Sequence, residues 1–208
     1  TFKPFMAMAL LESGKITQSS VIPAPGAWSI PGTKHMFRDS VRSGHGSANL
    51  SKAIQVSSDT FFYRLGFEMG IEKIRPYLAE FDFGQQTGID LPNEYRGVLP
   101  SPEWKEKRFS KLPPERRRWN IAEMVPISIG QGYNAYTPLQ MAHATATLAN
   151  NGVVYRPHLV KELLDHNKQQ ITLIDPKPQR VLPFKQSNFN YVKAAMAKVL
   201  QPGGTARK

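Results

Sequence analysis

The sequence contains no cysteine among its 208 residues, which excludes a disulfide framework and a thiolate metal cage. No segment approaches the roughly 18 consecutive apolar residues of a membrane-spanning helix, and residues 1–20 lack the basic, apolar and small-residue order of a signal peptide. Acidic residues are scarce: 16 Asp and Glu oppose 27 Lys and Arg, and the formal net charge is +11. This charge indicates attraction to anionic polymers or lipid headgroups and does not by itself identify a function.

Helical and extended patterns are mixed along the chain, without an internal repeat. The apolar run from Pro4 to Leu11 predicts a buried helix, and the capping box Thr137-Pro138-Leu139-Gln140 predicts a helix ending near Gly152. Extended patterns over residues 153–163 and 170–174 flank a polar turn and predict a hairpin. Further helix starts are predicted at four capping residues: Asn49, Asp59, Ser101 and Ser187. Because 40% of the residues are hydrophobic and no βαβ alternation is present, we expect one α+β domain.

Lys3 stands in the first turn of the predicted buried helix. The positive end of the helix dipole and the apolar surroundings both disfavour a charged amine at this position. Such an amine is suited to act as a general base for a neighbouring hydroxyl. An exposed lysine without a catalytic role is the alternative interpretation.

The tripeptide Ser57-Ser58-Asp59 places a hydroxyl two residues before a carboxylate, at a junction between two predicted helices. A serine at such a junction can relay a proton, and Asp59 can accept hydrogen bonds from Lys3 or from a substrate amide. The alternative is that Asp59 only caps the helix that follows.

These motifs resemble those of class B penicillin-binding proteins, in the branch that serves bacterial cell elongation. In that family the nucleophilic serine lies in a Ser-x-x-Lys motif, followed by Ser-x-Asn or Ser-x-Asp and then by Lys-Ser/Thr-Gly on a strand. The matching segments occur in family order through essentially the whole chain: Thr1-Phe2-Lys3-Pro4, Ser57-Ser58-Asp59, Thr87 to Pro92, Trp104 to Phe109, and Gly130-Gln131-Gly132-Tyr133.

The resemblance implies the transpeptidase fold shared by penicillin-binding proteins and serine β-lactamases, an antiparallel sheet flanked by helices. Residues 1–208 are expected to be a fragment of the transpeptidase domain. The fragment lacks the nucleophilic serine expected directly before Thr1 and the Lys-Ser/Thr-Gly strand expected after Lys208. The implied catalytic residues within the chain are Lys3, Ser57 and Asp59. We therefore expect acyl transfer only in a longer protein that supplies the serine.

The implied activity is cross-linking of peptidoglycan stem peptides through a serine acyl-enzyme, with β-lactams as inhibitors and no cofactor. The implied partners are stem peptides ending in D-Ala-D-Ala and a membrane polymerase of the elongation complex. The implied location is the periplasm, with a single N-terminal inner-membrane anchor outside this chain.

Some relatives resemble this chain but carry zinc beside the active site, held by two Asp, one His and one Cys. The present chain keeps Asp39 and His45 and has Ala24 and Ser58 at the other two places. Because a structural zinc site normally requires four ligands, we predict that no metal is tightly held.

Three alternative functions remain open at this point. A serine β-lactamase or a β-lactam sensor would share the Ser-x-x-Lys chemistry, and a catalytically inactive scaffold would share the fold. A basic nucleic-acid-binding module is suggested by the net charge and by the basic segment Lys105 to Arg118, which lies near Trp104 and Trp119. No recognised nucleic-acid-binding motif accompanies that segment, so we predict no nucleic-acid partner.

Overall fold

The computed structural model of the protein describes residues 2–207. Nine α-helices lie in this range: α1 (Lys3–Glu12), α2 (Leu50–Gln55), α3 (Asp59–Met69), α4 (Ile71–Ala79), α5 (Pro102–Arg108), α6 (Pro114–Arg117), α7 (Met124–Ile127), α8 (Pro138–Ala149) and α9 (Gln186–Ala197). Eight short strands accompany them: β1 (Val21–Ala24), β2 (Ala27–Ser29), β3 (Met36–Arg38), β4 (Gly46–Asn49), β5 (Val153–Tyr155), β6 (Glu162–Leu164), β7 (Gln170–Leu173) and β8 (Pro178–Val181). The 3₁₀ turns are Ile121–Glu123 and Lys198–Leu200.

Helix α1 lies at the centre of the fold. All its residues from Lys3 to Leu11 are buried, and it packs against α2, α3, α4 and α9. The chain leaves the helix at Gly14, whose φ of +72° is a left-handed conformation that glycine adopts without steric cost. The helix predicted from the apolar run is therefore confirmed, and its lack of a polar face follows from its being covered on every side.

An aromatic cluster covers the start of α1. Phe5 meets Phe83 edge to face with ring centroids 5.0 Å apart, and Phe2 stacks on Tyr136 at 5.7 Å. Phe83 and Tyr136 lie 4.4 Å apart and complete the cluster. Such aromatic pairs add roughly 0.5–1.5 kcal/mol each beyond the burial of their surface. The cluster therefore holds the backbone on both sides of Lys3.

The strands within residues 2–207 form four separate two-stranded antiparallel ribbons: β1 with β4, β2 with β3, β5 with β8, and β6 with β7. In the first ribbon Val21 pairs with Asn49 and Ala24 pairs with Gly46. The α+β class and the antiparallel pairing agree with the sequence analysis. In this part of the chain β1, β2 and β3 pack against α3, and β5 packs against α8.

The predicted hairpin is partly confirmed. β6 pairs with β7 around the turn at Asp165, where the Asp165 carboxylate accepts hydrogen bonds from the amides of Asn167 and Gln169. β5 lies outside this hairpin and pairs instead with β8. The apolar, β-branched pattern of residues 153–155 indicates a strand correctly but carries no information about its partner.

Three of the predicted helix caps are confirmed. Asn49 accepts a hydrogen bond from the Lys52 amide at 2.9 Å, and Ser101 accepts one from the Trp104 amide at 3.1 Å. Both halves of the capping box at Thr137 are present, and α8 ends at Ala149. These signals are local in sequence, which is why sequence patterns alone identify them.

Two predicted caps are wrong. Ser58 rather than Asp59 caps α3, because the Ser58 hydroxyl accepts the Phe61 amide at 3.4 Å. α9 begins at Gln186, before Ser187, and the carboxylate of Glu12 on α1 accepts the Lys185 amide at 2.9 Å. In the second case a neighbouring helix supplies the acceptor that a local side chain was expected to supply.

Among residues 2–207, no helix combines the length and apolar character that crossing a membrane would require.

Candidate active site

The Lys3 side chain lies where the start of α1 meets the turn between α2 and α3. Its Nζ atom donates to Asp59 Oδ1 at 2.6 Å, to Ser57 Oγ at 2.9 Å and to the Ser57 carbonyl oxygen at 2.5 Å. Only 9% of the residue is exposed, so the alternative of an exposed terminal lysine is wrong. The three implied catalytic residues are thus brought together although up to 56 residues separate them.

The three acceptors match the three N–H bonds of an ammonium group. One of these acceptors is the Asp59 carboxylate at 2.6 Å, so the contact is an ion pair when the amine is protonated. In the neutral form the same nitrogen can accept a proton, and in the charged form it can donate one to the Ser57 hydroxyl. The arrangement therefore provides a short path for a proton between Lys3 and Ser57.

The turn that carries Ser57 has an unusual backbone. Ser57 has φ of +54°, in the left-handed region that non-glycine residues seldom enter. This conformation directs both its carbonyl oxygen and its hydroxyl toward Lys3 Nζ. Asp59, as the first residue of α3 rather than its cap, has its carboxylate available for Lys3.

A cleft of about 370 Å³ lies beside Lys3 and Ser57. Its walls come from α1, α2, α8, α9 and the segment after α9, and they are mainly apolar: Pro4, Phe5, Ile54, Leu148, Met196, Val199 and Leu200. Lys3 and Ser57 therefore place polar groups in a cleft whose walls are otherwise mainly apolar.

Asp39 lies directly behind the Ser57–Asp59 turn, in the loop between β3 and β4. Its burial by itself raises the pKa of the carboxyl group, but hydrogen bonds from the Thr60 amide, Ser58 and His45 outweigh that effect and lower the pKa to about 2. The group is therefore a carboxylate at neutral pH. The sequence does not predict this contact, because the spacing of Asp39 and Thr60 along the chain gives no signal for it.

The residues at the place of the zinc site in relatives do not fit a zinc ion. Asp39 and His45 hydrogen-bond to each other at 3.2 Å, and Ala24 and Ser58 supply neither a carboxylate nor a thiolate. Within the described residues 2–207, no three His, Asp or Glu side chains are grouped in a way that would hold a metal ion. That no metal is tightly held stays a prediction, and elemental analysis of the purified protein tests it.

Tyr63 lies one turn of α3 beyond Asp59 and packs against Phe37 of β3 with ring centroids 5.8 Å apart. Burial and the nearby charges of Asp59 and Asp39 raise its pKa to about 12. The phenol therefore stays neutral across the physiological pH range and is not a candidate base.

The glycine-rich segment after α7 approaches the site closely. Gly130 has φ of +84°, and a Cβ atom added to it would lie 2.4 Å from the Cβ of Phe2, the neighbour of Lys3. Gln131 is exposed. The glycine therefore serves backbone geometry and also supports the residue next to Lys3.

The basic segment folds into α5, α6 and their connection. Lys105 is 4% exposed and pairs with Glu123, and it also donates to the Arg118 carbonyl oxygen at 2.6 Å. The other cations of the segment lie at the surface, where Arg117 pairs loosely with Glu106 at 3.9 Å. One basic residue of the cluster is thus part of the interior, and the rest form a solvated face.

Comparison with known proteins defines the class to which the fold and this site belong. The chain matches the family described as penicillin binding protein transpeptidase domain over residues 1–208, and it belongs to that family. More particularly, it is 36% identical over 209 residues to the peptidoglycan D,D-transpeptidase MrdA of Escherichia coli (strain K12), an alignment that covers 100% of this chain and 32% of MrdA.

Solved structures agree with this assignment. The structure of Pseudomonas aeruginosa PBP2 in complex with WCK 5153 matches with a TM-score of 0.83 and 37% identity, over 100% of this chain and 45% of that chain. The complex between penicillin-binding protein 2 (PBP2) and MreC from Helicobacter pylori matches with a TM-score of 0.81 and 35% identity, over 99% of this chain and 35% of that chain. The expected transpeptidase fold is therefore confirmed, and the chain spans about a third of the length of the curated relatives it matches.

Proposed function

We propose that the longer protein containing this chain is a peptidoglycan D,D-transpeptidase that cross-links stem peptides during cell elongation through a serine acyl-enzyme. The observation that carries this proposal is the contact of Lys3 Nζ with both Ser57 Oγ and Asp59 Oδ1 at the end of an apolar cleft. Membership of the transpeptidase family and the likeness to MrdA support the same activity.

The proposed nucleophile is a serine directly before Thr1 in the longer protein, and the proposed third motif is a Lys-Ser/Thr-Gly strand after Lys208. Thr1 and Lys208 themselves lie outside the residues that the structure describes. A serine at that place stands three residues before Lys3, and a helical conformation continued back from Phe2, which is already right-handed helical, would bring the two side chains onto the same face. The spacing therefore suits proton transfer from the serine to Lys3.

In the proposed mechanism the serine oxygen attacks the carbonyl carbon of the penultimate D-Ala, and Lys3 takes the serine proton. The peptide bond to the terminal D-Ala breaks, Ser57 passes its proton to the leaving nitrogen and receives the proton held by Lys3, and an acyl-enzyme remains. An amine of a neighbouring stem peptide then attacks the acyl carbon and releases the serine. Asp59 holds Lys3 and Ser57 in register throughout.

The proposed substrates are stem peptides ending in D-Ala-D-Ala, with β-lactams as inhibitors that acylate the same serine. A membrane polymerase of the elongation complex is the proposed partner. The H. pylori relative solved in complex with MreC supports an assembly role for such proteins. We also propose a periplasmic catalytic domain with an inner-membrane anchor that lies outside this chain.

Intact-protein mass spectrometry of the full-length protein tests the proposal. After incubation with a penicillin, we expect a stable increase by one drug mass per molecule. In Lys3→Ala, adduct formation should slow by about 10²- to 10⁴-fold, the usual contribution of a positioned acid or base. Lys73→Ala, which removes an exposed lysine on α4, is the matched control and should react at the wild-type rate.

Other outcomes would contradict the proposal in distinct ways. Rapid loss of the drug without a lasting adduct would indicate a β-lactamase. Neither adduct nor drug turnover would indicate an inactive scaffold with the same fold.

A further inference from the structure

The strongest unused feature near the site is the carboxylate of Asp39. The side chain is fully buried, although it belongs to a loop whose neighbouring residues, Arg38 and Ser40, are exposed. Burial of a carboxylate is costly unless its oxygens are hydrogen-bonded. The partners of the two oxygens therefore show what the carboxylate holds in place.

Oδ2 of Asp39 contacts only the turn that carries the catalytic candidates. It accepts the Asp59 amide at 2.8 Å, the Ser58 hydroxyl at 3.0 Å and the Thr60 amide at 3.2 Å. The two amides are free N–H groups at the start of α3, where a negative charge is favourable. One oxygen thus fixes three consecutive residues that begin directly after Ser57.

Oδ1 of Asp39 anchors the carboxylate from the other side. It accepts the Val41 amide at 3.4 Å, and it hydrogen-bonds to His45 Nε2 at 3.2 Å. The His45 backbone in turn donates to the Ala24 carbonyl oxygen at 2.8 Å. The carboxylate therefore ties the Ser57–Asp59 turn to the ribbon of β1 and β4.

The backbone of Ser57 explains why such an anchor is needed. Its left-handed conformation, with φ of +54°, is unfavourable for serine and persists only where the surroundings hold it. Lys3 contacts the turn from the side of the cleft, and Asp39 contacts it from the opposite side. These two contacts restrain the turn in which the Ser57 hydroxyl lies 2.9 Å from Lys3 Nζ.

We infer that Asp39 is a positioning residue, whose carboxylate holds Ser57 and Asp59 in register with Lys3 by hydrogen bonds alone, without a metal ion. This inference rests on the proposed function of Lys3, Ser57 and Asp59. Asp39 itself contacts none of the proposed reacting atoms.

The test measures acylation of the full-length protein by a penicillin, resolved into the dissociation constant of the first complex and the acylation rate constant. Asp39→Asn should lower the acylation rate constant by about 10- to 100-fold, as loss of a supporting hydrogen-bond partner does elsewhere, and should leave the dissociation constant within about twofold. Asp175→Asn, the same change at an exposed carboxyl group away from the site, should leave both constants unchanged.

Ser58→Ala provides a second variant, because it leaves the charge of Asp39 in place and removes one donor to it, together with the acceptor that caps α3. We expect the acylation rate constant to fall by about fivefold, the value of one ordinary hydrogen bond. The double variant Asp39→Asn/Ser58→Ala should be slower than Asp39→Asn by less than the effect of Ser58→Ala alone, since the two changes share one contact. Should Asp39→Asn fail to fold, Ser58→Ala carries the kinetic test.

Hydrogen exchange gives a readout that is independent of activity. In Asp39→Asn, or in Ser58→Ala if that is the folded variant, the amides of Asp59 and Thr60 should exchange faster than in the wild type, while amides in α8 should not change. If the wild-type protein forms no penicillin adduct, the proposed function fails, and this exchange still decides whether Asp39 holds the turn.

Two results would overturn the inference. One is an acylation rate constant in Asp39→Asn equal to that of the wild type, with only the melting temperature lowered, which would make Asp39 a purely structural residue. The other is one equivalent of zinc in elemental analysis of the purified protein, lost in Asp39→Asn, which would make Asp39 a metal ligand.

Discussion

The contact between Gly130 and Phe2 leads to a prediction about how α1 is held beside the site. Gly130→Ala places a Cβ atom where the structure leaves 2.4 Å to the Cβ of Phe2 and 2.8 Å to its Cγ. Neither atom belongs to the flexible end of a side chain, so the backbone of one segment has to move. Phe2 precedes Lys3, and we therefore expect the change to affect both stability and the site.

Two effects contribute to the loss of folding stability expected in Gly130→Ala. A φ of +84° costs an alanine roughly 1–2 kcal/mol relative to glycine, and overpacking against Phe2 costs about 1–3 kcal/mol more. Gly14→Ala is the matched control, because Gly14 also has a left-handed φ, +72°, and has open space around the added Cβ. Gly14→Ala should therefore lose only the roughly 1–2 kcal/mol that the left-handed backbone costs.

Thermal unfolding of the full-length protein compares the two variants. At about 2–4 °C for each kcal/mol in a domain of this size, Gly130→Ala should melt about 2–12 °C below Gly14→Ala. Penicillin acylation should slow in Gly130→Ala and stay at the wild-type rate in Gly14→Ala. Equal melting temperatures in the two variants would refute the steric argument, and an unchanged acylation rate in Gly130→Ala would refute the link from Phe2 to Lys3.

Further predictions concern stability away from the site. Thr137→Ala removes the cap of α8 and should lower the free energy of unfolding by about 1 kcal/mol, whereas Thr137→Ser keeps a capping hydroxyl and should be about as stable as the wild type. Equal melting temperatures for Thr137→Ala and Thr137→Ser would contradict this. Lys105→Met removes the buried ammonium partner of the half-buried Glu123 carboxylate and should lower the free energy of unfolding by about 1–3 kcal/mol in chemical denaturation, and adding Glu123→Gln should recover part of that loss. Asp82 is half-buried, which raises its pKa, but hydrogen bonds from His143 and Arg180 outweigh this and lower it. Its contribution is therefore present above the unfolded pKa and lost on acidification, so the stability gap between wild type and Asp82→Asn should narrow as the pH falls below about 4. A gap that widens below that pH would contradict the assignment.

Several helix boundaries could be predicted from the sequence because their signals are local. The cap at Asn49 and the capping box at Thr137 each depend on residues within one turn. The cap at Asp59 was mispredicted because two adjacent residues, Ser58 and Asp59, can both fill that role. The start of α9 was mispredicted because Glu12, far away in sequence, supplies the acceptor.

The candidate site likewise contains residues that the sequence could identify and one that it could not. The motif residues Lys3, Ser57 and Asp59 could be identified from their resemblance to a family, but the role of Asp39 could not be identified. A loop aspartate beside exposed basic residues carries no sequence pattern for burial. The Asp39 carboxylate and Ser58 are 19 residues apart in sequence, and β4 and α2 lie between them. The position of that segment depends on the pairing of β4 with β1, which tertiary packing decides.

The sequence by itself determined the α+β class, the buried helix that begins at Lys3 and the family to which the motifs point, because these depend on short-range periodicity and residue identity. Only the tertiary structure decided that β5 pairs with β8, that Asp59 turns toward Lys3 rather than capping its helix, and that Asp39 supports the turn from behind. These contacts join segments 20 or more residues apart. Many pairings of similar energy are open to such segments, and the packing of the whole core selects among them.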